Sequence, residues 1–245
     1  MRRRTHSRDA GLLVIAHRGA SAVAPESTKA AIRAAAQAGA DMIELDVQMT
    51  LDRRLIVFHD DRLERTTDGT GAVRNHRYAH LARLDSGAWF HPRFAGERIL
   101  LLSQALRLIP SRMRINLELK RTGQRAALLR RLLRCVRHDR VGARLLVSSV
   151  DPLLLQPLSH RLATALICRR DPDRSLQQAV RLGCAAWHPF HRLLTPGRLR
   201  RAHAAHVRVH AWTVDGLARV RELMRWGVDG LFTNHPARLA EGVRR

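Results

Sequence analysis

The sequence predicts an α/β chain folded as a (β/α)8 TIM barrel with a small insertion after the early strands. Three observations carry that expectation. Helical periodicity alternates with short apolar runs along most of the chain. Three junctions, Ala38-Gly39-Ala40-Asp41, Leu182-Gly183-Cys184 and Trp226-Gly227-Val228-Asp229, end a helix on glycine and start a strand at once, as right-handed parallel crossovers require. Finally, His17, Asp46, His59, Lys120, Ser148, Ser149, His188, Trp212 and Asn234 fall at or just past the carboxyl ends of predicted strands, and a barrel gathers those ends at one mouth.

Residues 12–16 form the first apolar run, which stops abruptly at His17-Arg18-Gly19. A loop containing Pro25-Glu26-Ser27-Thr28 leads into an alanine-rich helix that ends near Gly39, where glycine suits a helix stop. In the next strand, 42–47, Glu44 and Asp46 leave one face while Ile43, Leu45 and Val47 leave the other. A turn at Asp52 and a third run, 55–58, end at His59-Asp60. From Asp60 to about Gly96 the periodicity disappears, and a stretch of that length inside a compact domain reads as a lid, a binding loop or an inserted subdomain.

Alternation then resumes. Helices are predicted at 102–108, 125–136, after Pro152, and at 174–182, 196–204 and 217–226, with strands at 113–119, 144–148, 162–167, 184–187, 207–212 and 230–233. With 55–58 among them the predicted runs number nine, about the eight strands that close a barrel. A doubly wound open sheet competes, but no glycine-rich nucleotide fingerprint follows the first strand.

At 245 residues the chain fits a single domain, 1–245, and a hydrophobic content of 45% suffices for a sizeable core. Aromatic content is only 4%, so leucine, valine, isoleucine and alanine do most of the packing. The net charge of +23 comes almost wholly from arginine, since Lys29 and Lys120 are the only lysines. Nucleic acid or an anionic membrane surface would match that charge. The arginines are spread rather than gathered, however, which favours codon usage over a specific partner, and the scarcity of aromatics argues against a single-strand stacking platform. No specific nucleic-acid partner is expected; a weak contact with anionic membrane stays compatible with the charge. Cys135, Cys168 and Cys184 have no short pair spacing, so neither a zinc knuckle nor a disulfide framework follows, and a reducing, cytoplasmic setting is expected. Arg2, Arg3 and Arg4 imitate the start of a leader, but the apolar run behind them is too short.

The chemistry concentrates between Val14 and Gly71. Asn116, Glu118 and Lys120 repeat the alternation of Glu44 and Asp46, so three acidic groups could meet in one mouth. Their mutual repulsion asks for compensation, and a hard divalent cation on oxygen ligands, Mg2+, Ca2+ or Mn2+, supplies it; pairing with arginine is the other use. Lys120 stands out in an arginine-rich chain as a compact ammonium suited to a phosphate oxygen. His17 and His59 each terminate an apolar run before a charged residue and could exchange protons near neutral pH, with Arg18 as a two-pronged anion clamp. Most of the other histidines in a total of 14 read as surface residues. A hard cation, basic side chains and an acid/base pair together suggest phosphate ester cleavage.

The motifs carry a resemblance. His17-Arg18-Gly19, Pro25-Glu26-Ser27-Thr28, the run Gly39 to Val47, His59-Asp60 through Arg65-Thr66-Thr67 to Gly71, Glu97-Arg98-Ile99, Asn116 to Lys120, Ser148 to Pro152, Ala211-Trp212-Thr213-Val214 and Gly227-Val228-Asp229-Gly230 stand in the order found in the glycerophosphodiester phosphodiesterase family. The sequence resembles that family over nearly its whole length. The resemblance implies a barrel that hydrolyses glycerophosphodiesters to glycerol 3-phosphate and an alcohol with a divalent cation. It implies Glu44, Asp46 and Glu118 as metal ligands, His17 and His59 as the acid/base pair, Arg18 and Lys120 on phosphate, Trp212 as pocket wall and Glu26 as a further candidate. Residues of about 60–98 would be the family's insertion over the mouth. Attack by water and attack by the neighbouring glycerol hydroxyl through a cyclic phosphate are both compatible with these residues. Ser27, where asparagine is usual, is expected to alter a contact near the metal. Leu100-Leu101 stands in place of Pro-Thr and Asn234 in place of an aspartate, and both bear on substrate preference. A lysophospholipase D on lysophospholipids is the nearest alternative, and a non-catalytic basic barrel binding nucleic acid or anionic lipid the more distant one.

Overall fold

The structure, a computed structural model, describes residues 11–244; the basic triplet at 2–4 lies outside them. The chain begins with β1 (Leu13–Ala16), α1 (Lys29–Gln37), β2 (Met42–Met49) and β3 (Leu55–Val57), followed by the segment that contains the short α2 (Tyr78–Leu81). It then repeats helix and strand: α3 (Leu102–Leu108), β4 (Arg114–Leu119), α4 (Arg125–His138), β5 (Leu145–Ser149), α5 (Pro152–Leu155) and β6 (Ala163–Cys168). The series ends with α6 (Pro172–Arg181), β7 (Ala186–Pro189), α7 (Pro196–Ala204), β8 (Arg208–Ala211), α8 (Leu217–Trp226), β9 (Gly230–Thr233) and α9 (Pro236–Arg244). No helix among the described residues is long and apolar enough to cross a membrane.

Eight parallel strands close into a (β/α)8 TIM barrel in the order β1-β9-β8-β7-β6-β5-β4-β2, sealed by the pairing of β1 with β2. The third apolar run corrects the expected count. β3 pairs antiparallel with the far end of β2, Val47 opposite Val57 and Met49 opposite Leu55, and therefore stands outside the barrel. Its side chains look like those of any buried strand, and only the tight turn at Thr50–Arg54 forces the chain back along its neighbour. The terminal helix α9 closes the chain beyond the last predicted strand.

Alternation decides which side chains meet. Ile43, Leu45 and Val47 of β2 and Ile115, Leu117 and Leu119 of β4 point outward into the main core beneath the helices, whereas Glu44, Asp46, Asn116 and Glu118 turn into the barrel. At the three helix-to-strand junctions Gly39, Gly183 and Gly227 all take left-handed backbone (φ 70°, 65° and 86°), the conformation that ends a helix at least steric cost. The segment after β3 packs its own small core from Leu63, Val73, Leu81 and Ile99 against Ile56 and Phe58.

His188 and His210, both buried, meet at 3.1 Å between Nε2 and Nδ1. Burial lowers both imidazoles; the charges of His210 and Arg208 add to it at His188, and that of Arg208 outweighs Asp229 at His210, which is brought from 6.5 to about 4. The unfolded chain takes up protons at these histidines below pH 6.5 while the folded chain does not, so stability falls as pH drops from 6.5 toward 4 and is untouched above that window. At pH 5 His210 alone costs about 2 kcal/mol. Urea unfolding at pH 7.5 and pH 5 should show the loss, and His188→Gln/His210→Gln should flatten the slope; identical slopes in both proteins would contradict this account.

Candidate active site

The mouth is built first by backbone register. Parallel pairing sets Asp46 beside Glu118 and Glu44 beside Asn116, while Glu118 lies opposite Ser148 on β5. The carboxylates of Glu44, Asp46 and Glu118 consequently come within 4.8 Å of one another, two of them buried. At the end of β1, Arg18 takes left-handed backbone (φ 57°), which turns its N–H onto Glu44 Oε2 at 2.9 Å. Gly19 (φ 86°) must follow, because a Cβ there would stand 2.7 Å from the backbone of Ala31 in α1.

Electrostatics separate the three acids. Burial pushes the Glu44 carboxyl well up, and the charges of Asp46 and Glu118 push it further. Asp46 is buried too, but Lys120 and Arg18 hold it at about 2. Lys120 Nζ sits 2.6 Å from both Asp46 and Glu118, a positive group lodged between two acids, and Arg18 Nε lies 3.4 Å from Asp46. Glu44 Oε1 and Asp46 Oδ2 are buried with no hydrogen-bond partner in the protein. Hard oxygen donors that are crowded, buried and partly orphaned suit a divalent cation, so the donor set fits the ion that the sequence implies. Among the described residues neither Glu44 nor Glu118 forms an ion pair with an arginine side chain; Glu44 accepts from the Arg18 backbone and Glu118 pairs with Lys120.

His17 Nδ1 meets Asn234 Oδ1 at 2.8 Å. That oxygen also accepts from Ser21, while Asn234 Nδ2 donates to Asp215 at 2.7 Å, so the amide is oriented and His17 must donate through Nδ1. Nε2 is left as the acceptor. Burial and the charge of Arg18 lower His17 to about 4, and Asp46 and His59 are near enough for their charges to act on it as well. His59 lies just past β3 with Nδ1 2.5 Å from Asp60, and Asp60 is gripped in turn by Arg65 Nε at 2.5 Å. The backbone on either side of His59 is fixed by Gln48 of β2, whose amide donates to Phe58 O (2.9 Å) and Asp60 O (2.6 Å).

Glu26 stands outside the acidic trio. It bridges Arg18 (3.0 Å) and Arg65 (2.6 Å), which lower its carboxyl despite burial, and so aligns the guanidinium of Arg18. Trp212 flanks the mouth, donating to His188 O at 2.7 Å with its ring 5.3 Å from Phe190. Ser149, grouped with the mouth by sequence, instead bonds Leu119 O and caps the turn to Asp151. Ser27 holds a left-handed backbone (φ 62°) with its buried hydroxyl unpartnered, a conformation that asparagine enters more readily than serine. Leu101 stands at the N-cap of α3 without a side-chain bond, and Gln104 reaches back to its N–H at 2.8 Å. Gln48, Arg65, Asp215 and Phe190 escaped sequence reasoning as site residues; only Arg65 lay within a motif already singled out.

The model of the glycerophosphoryl diester phosphodiesterase family matches residues 17–238. A glycerophosphodiester phosphodiesterase of Caldanaerobacter subterraneus subsp. tengcongensis is 33% identical over 239 residues, 95% of this chain and 98% of that one. One from Bacillus subtilis is 29% identical, covering 92% of this chain and 84% of its own. Among solved structures, an Oleispira antarctica phosphodiesterase in complex with the product sn-glycerol-3-phosphate superposes with a TM-score of 0.90 at 28% identity, over 96% of this chain and 98% of that one. A glycerophosphodiester phosphodiesterase from Agrobacterium tumefaciens gives 0.82 at 27% identity, over 94% and 99%.

Proposed function

Since the chain belongs to the glycerophosphoryl diester phosphodiesterase family, we propose that it hydrolyses glycerophosphodiesters to sn-glycerol 3-phosphate and an alcohol at the mouth of the barrel. The observation that carries this reading is the meeting of Glu44, Asp46 and Glu118 within 4.8 Å beside two histidines and two basic side chains. Glu44, Asp46 and Glu118 would hold Mg2+, Ca2+ or Mn2+, which when bound draws charge from the phosphoryl oxygens. Arg18 offers the phosphate a fork aligned by Glu26, and Lys120 offers a point charge.

The two histidines divide the proton work. His17 is uncharged at neutral pH with Nδ1 committed to Asn234, so Nε2 takes the proton of the attacking group. His59, oriented by its Nδ1 contact with the Asp60 carboxylate, returns a proton to the leaving alcohol. Trp212 and Phe190 wall the mouth on the His188 side. The free thiols Cys135, Cys168 and Cys184 suit the cytoplasm, where we place the enzyme.

The test is release of glycerol 3-phosphate from glycerophosphocholine and glycerophosphoglycerol with each of the three cations, before and after chelation. Cation-dependent release that chelator stops and fresh cation restores is expected. Absence of product from both diesters with every cation would sink the reading.

A further inference from the structure

We propose that the preferred substrate carries a second phosphate, a monoester on its leaving alcohol, seated in an arginine-lined cleft beside the catalytic mouth; this rests on the phosphodiesterase reading above. The cleft has a volume of about 1050 Å3, starts at His59, Glu118 and Lys120, and runs between the segment after β3 and the turn from β6 into α6. A glycerol fills only a small part of it, so it is the place for the alcohol half of the diester.

Its wall specifies the chemistry of that half. Arg121, Arg169, Arg170 and Arg174 line it, all exposed, and none has an ion pair or a side-chain hydrogen bond among the described residues. The neighbouring arginines differ: Arg62 is held by Glu64, and Arg65 by Asp60 and Glu26. Most acids of the wall are similarly committed, Asp60 to Arg65 and His59, Glu118 to Lys120, and Asp171 to the first turn of α6. Four uncommitted guanidinium forks lining one cleft match the several oxygens and double charge of a phosphate monoester. Choline would want aromatic faces around its ammonium, and the cleft has no Trp, Tyr or Phe in its wall. An acyl chain would want a continuous apolar wall, yet Val150, Leu166, Ile167 and Cys168 are all it would find.

The test compares glycerophosphoglycerol with the same diester phosphorylated on its leaving glycerol, at fixed ionic strength and cation. We expect kcat/KM to favour the phosphorylated diester by about tenfold or more, mostly through KM, as charge-assisted contacts of this kind support. In Arg169→Ala/Arg174→Ala the ratio of the two kcat/KM values should fall toward one; because it is taken within one protein, any loss of folded enzyme cancels. Equal efficiency in the parent enzyme, or a preference untouched by the double substitution, overturns the inference and leaves the phosphodiesterase reading standing. Hydrolysis of neither diester overturns both.

Discussion

Replacing His17 with alanine is expected to lower kcat by about 10²- to 10⁴-fold, the range of a lost proton-transfer group, with little change in melting temperature. Among the described residues the side chain makes one hydrogen bond, to Asn234, which Ser21 and Asp215 continue to orient after the ring is gone. What disappears is a neutral imidazole whose Nε2 is left as an acceptor, close enough to Asp46 to feel its charge. Because burial and Arg18 hold it at about 4, the base stays competent well below pH 6.5, so the acid limb of the pH–rate profile should fall toward pH 4 as Nε2 takes up its proton. Steady-state kinetics across pH on the parent and the variant read both effects. Turnover undiminished by the substitution would remove His17 from the chemistry.

The second large effect is expected at Glu44. Its carboxyl is displaced upward in the folded chain, so ionising it at neutral pH costs stability that is present below its ordinary value of 4.5 and lost as pH rises. Glu44→Gln keeps the shape and an oxygen for the Arg18 N–H while removing the charge. At pH 7 the variant should therefore melt higher than the parent in chelator, yet lose the rise in melting temperature that divalent cations give the parent. Turnover should drop on the order of 10²- to 10³-fold, as for other lost electrostatic stabilisers. Scanning calorimetry with chelator and with excess cation measures this directly, and a variant that retains the parent's full cation-induced shift would dissociate Glu44 from the ion.

Much of this site was legible because strand periodicity is a local property. Glu44, Asp46 and Glu118 declare their shared face through the apolar residues between them, and pairing β2 with β4 in register then follows from a closed barrel. The glycine junctions were equally readable, since a left-handed helix end has one cheap occupant. The role of 55–57 was not. An apolar run as short as the four residues 55–58 carries no mark of whether it runs parallel or antiparallel, and the difference lies in the turn before it. Partners joined through space were hidden for a related reason: Asn234 reaches His17 across 217 positions, and Arg65 reaches Glu26 across 39. Lys120 was recognised as unusual, but its 2.6 Å contacts with two of the acids depend on where β4 ends relative to β2.

The hairpin that displaced β3 from the barrel also sets the tolerance of the chemistry. Gln48 and Asp46 belong to the same strand, and Gln48 clamps the peptides flanking His59. In the reading proposed above, the proton donor is thus geared to the ion holder through one rigid lever. A displacement of the overlying segment would therefore pull on β2 and on the backbone around His59 together.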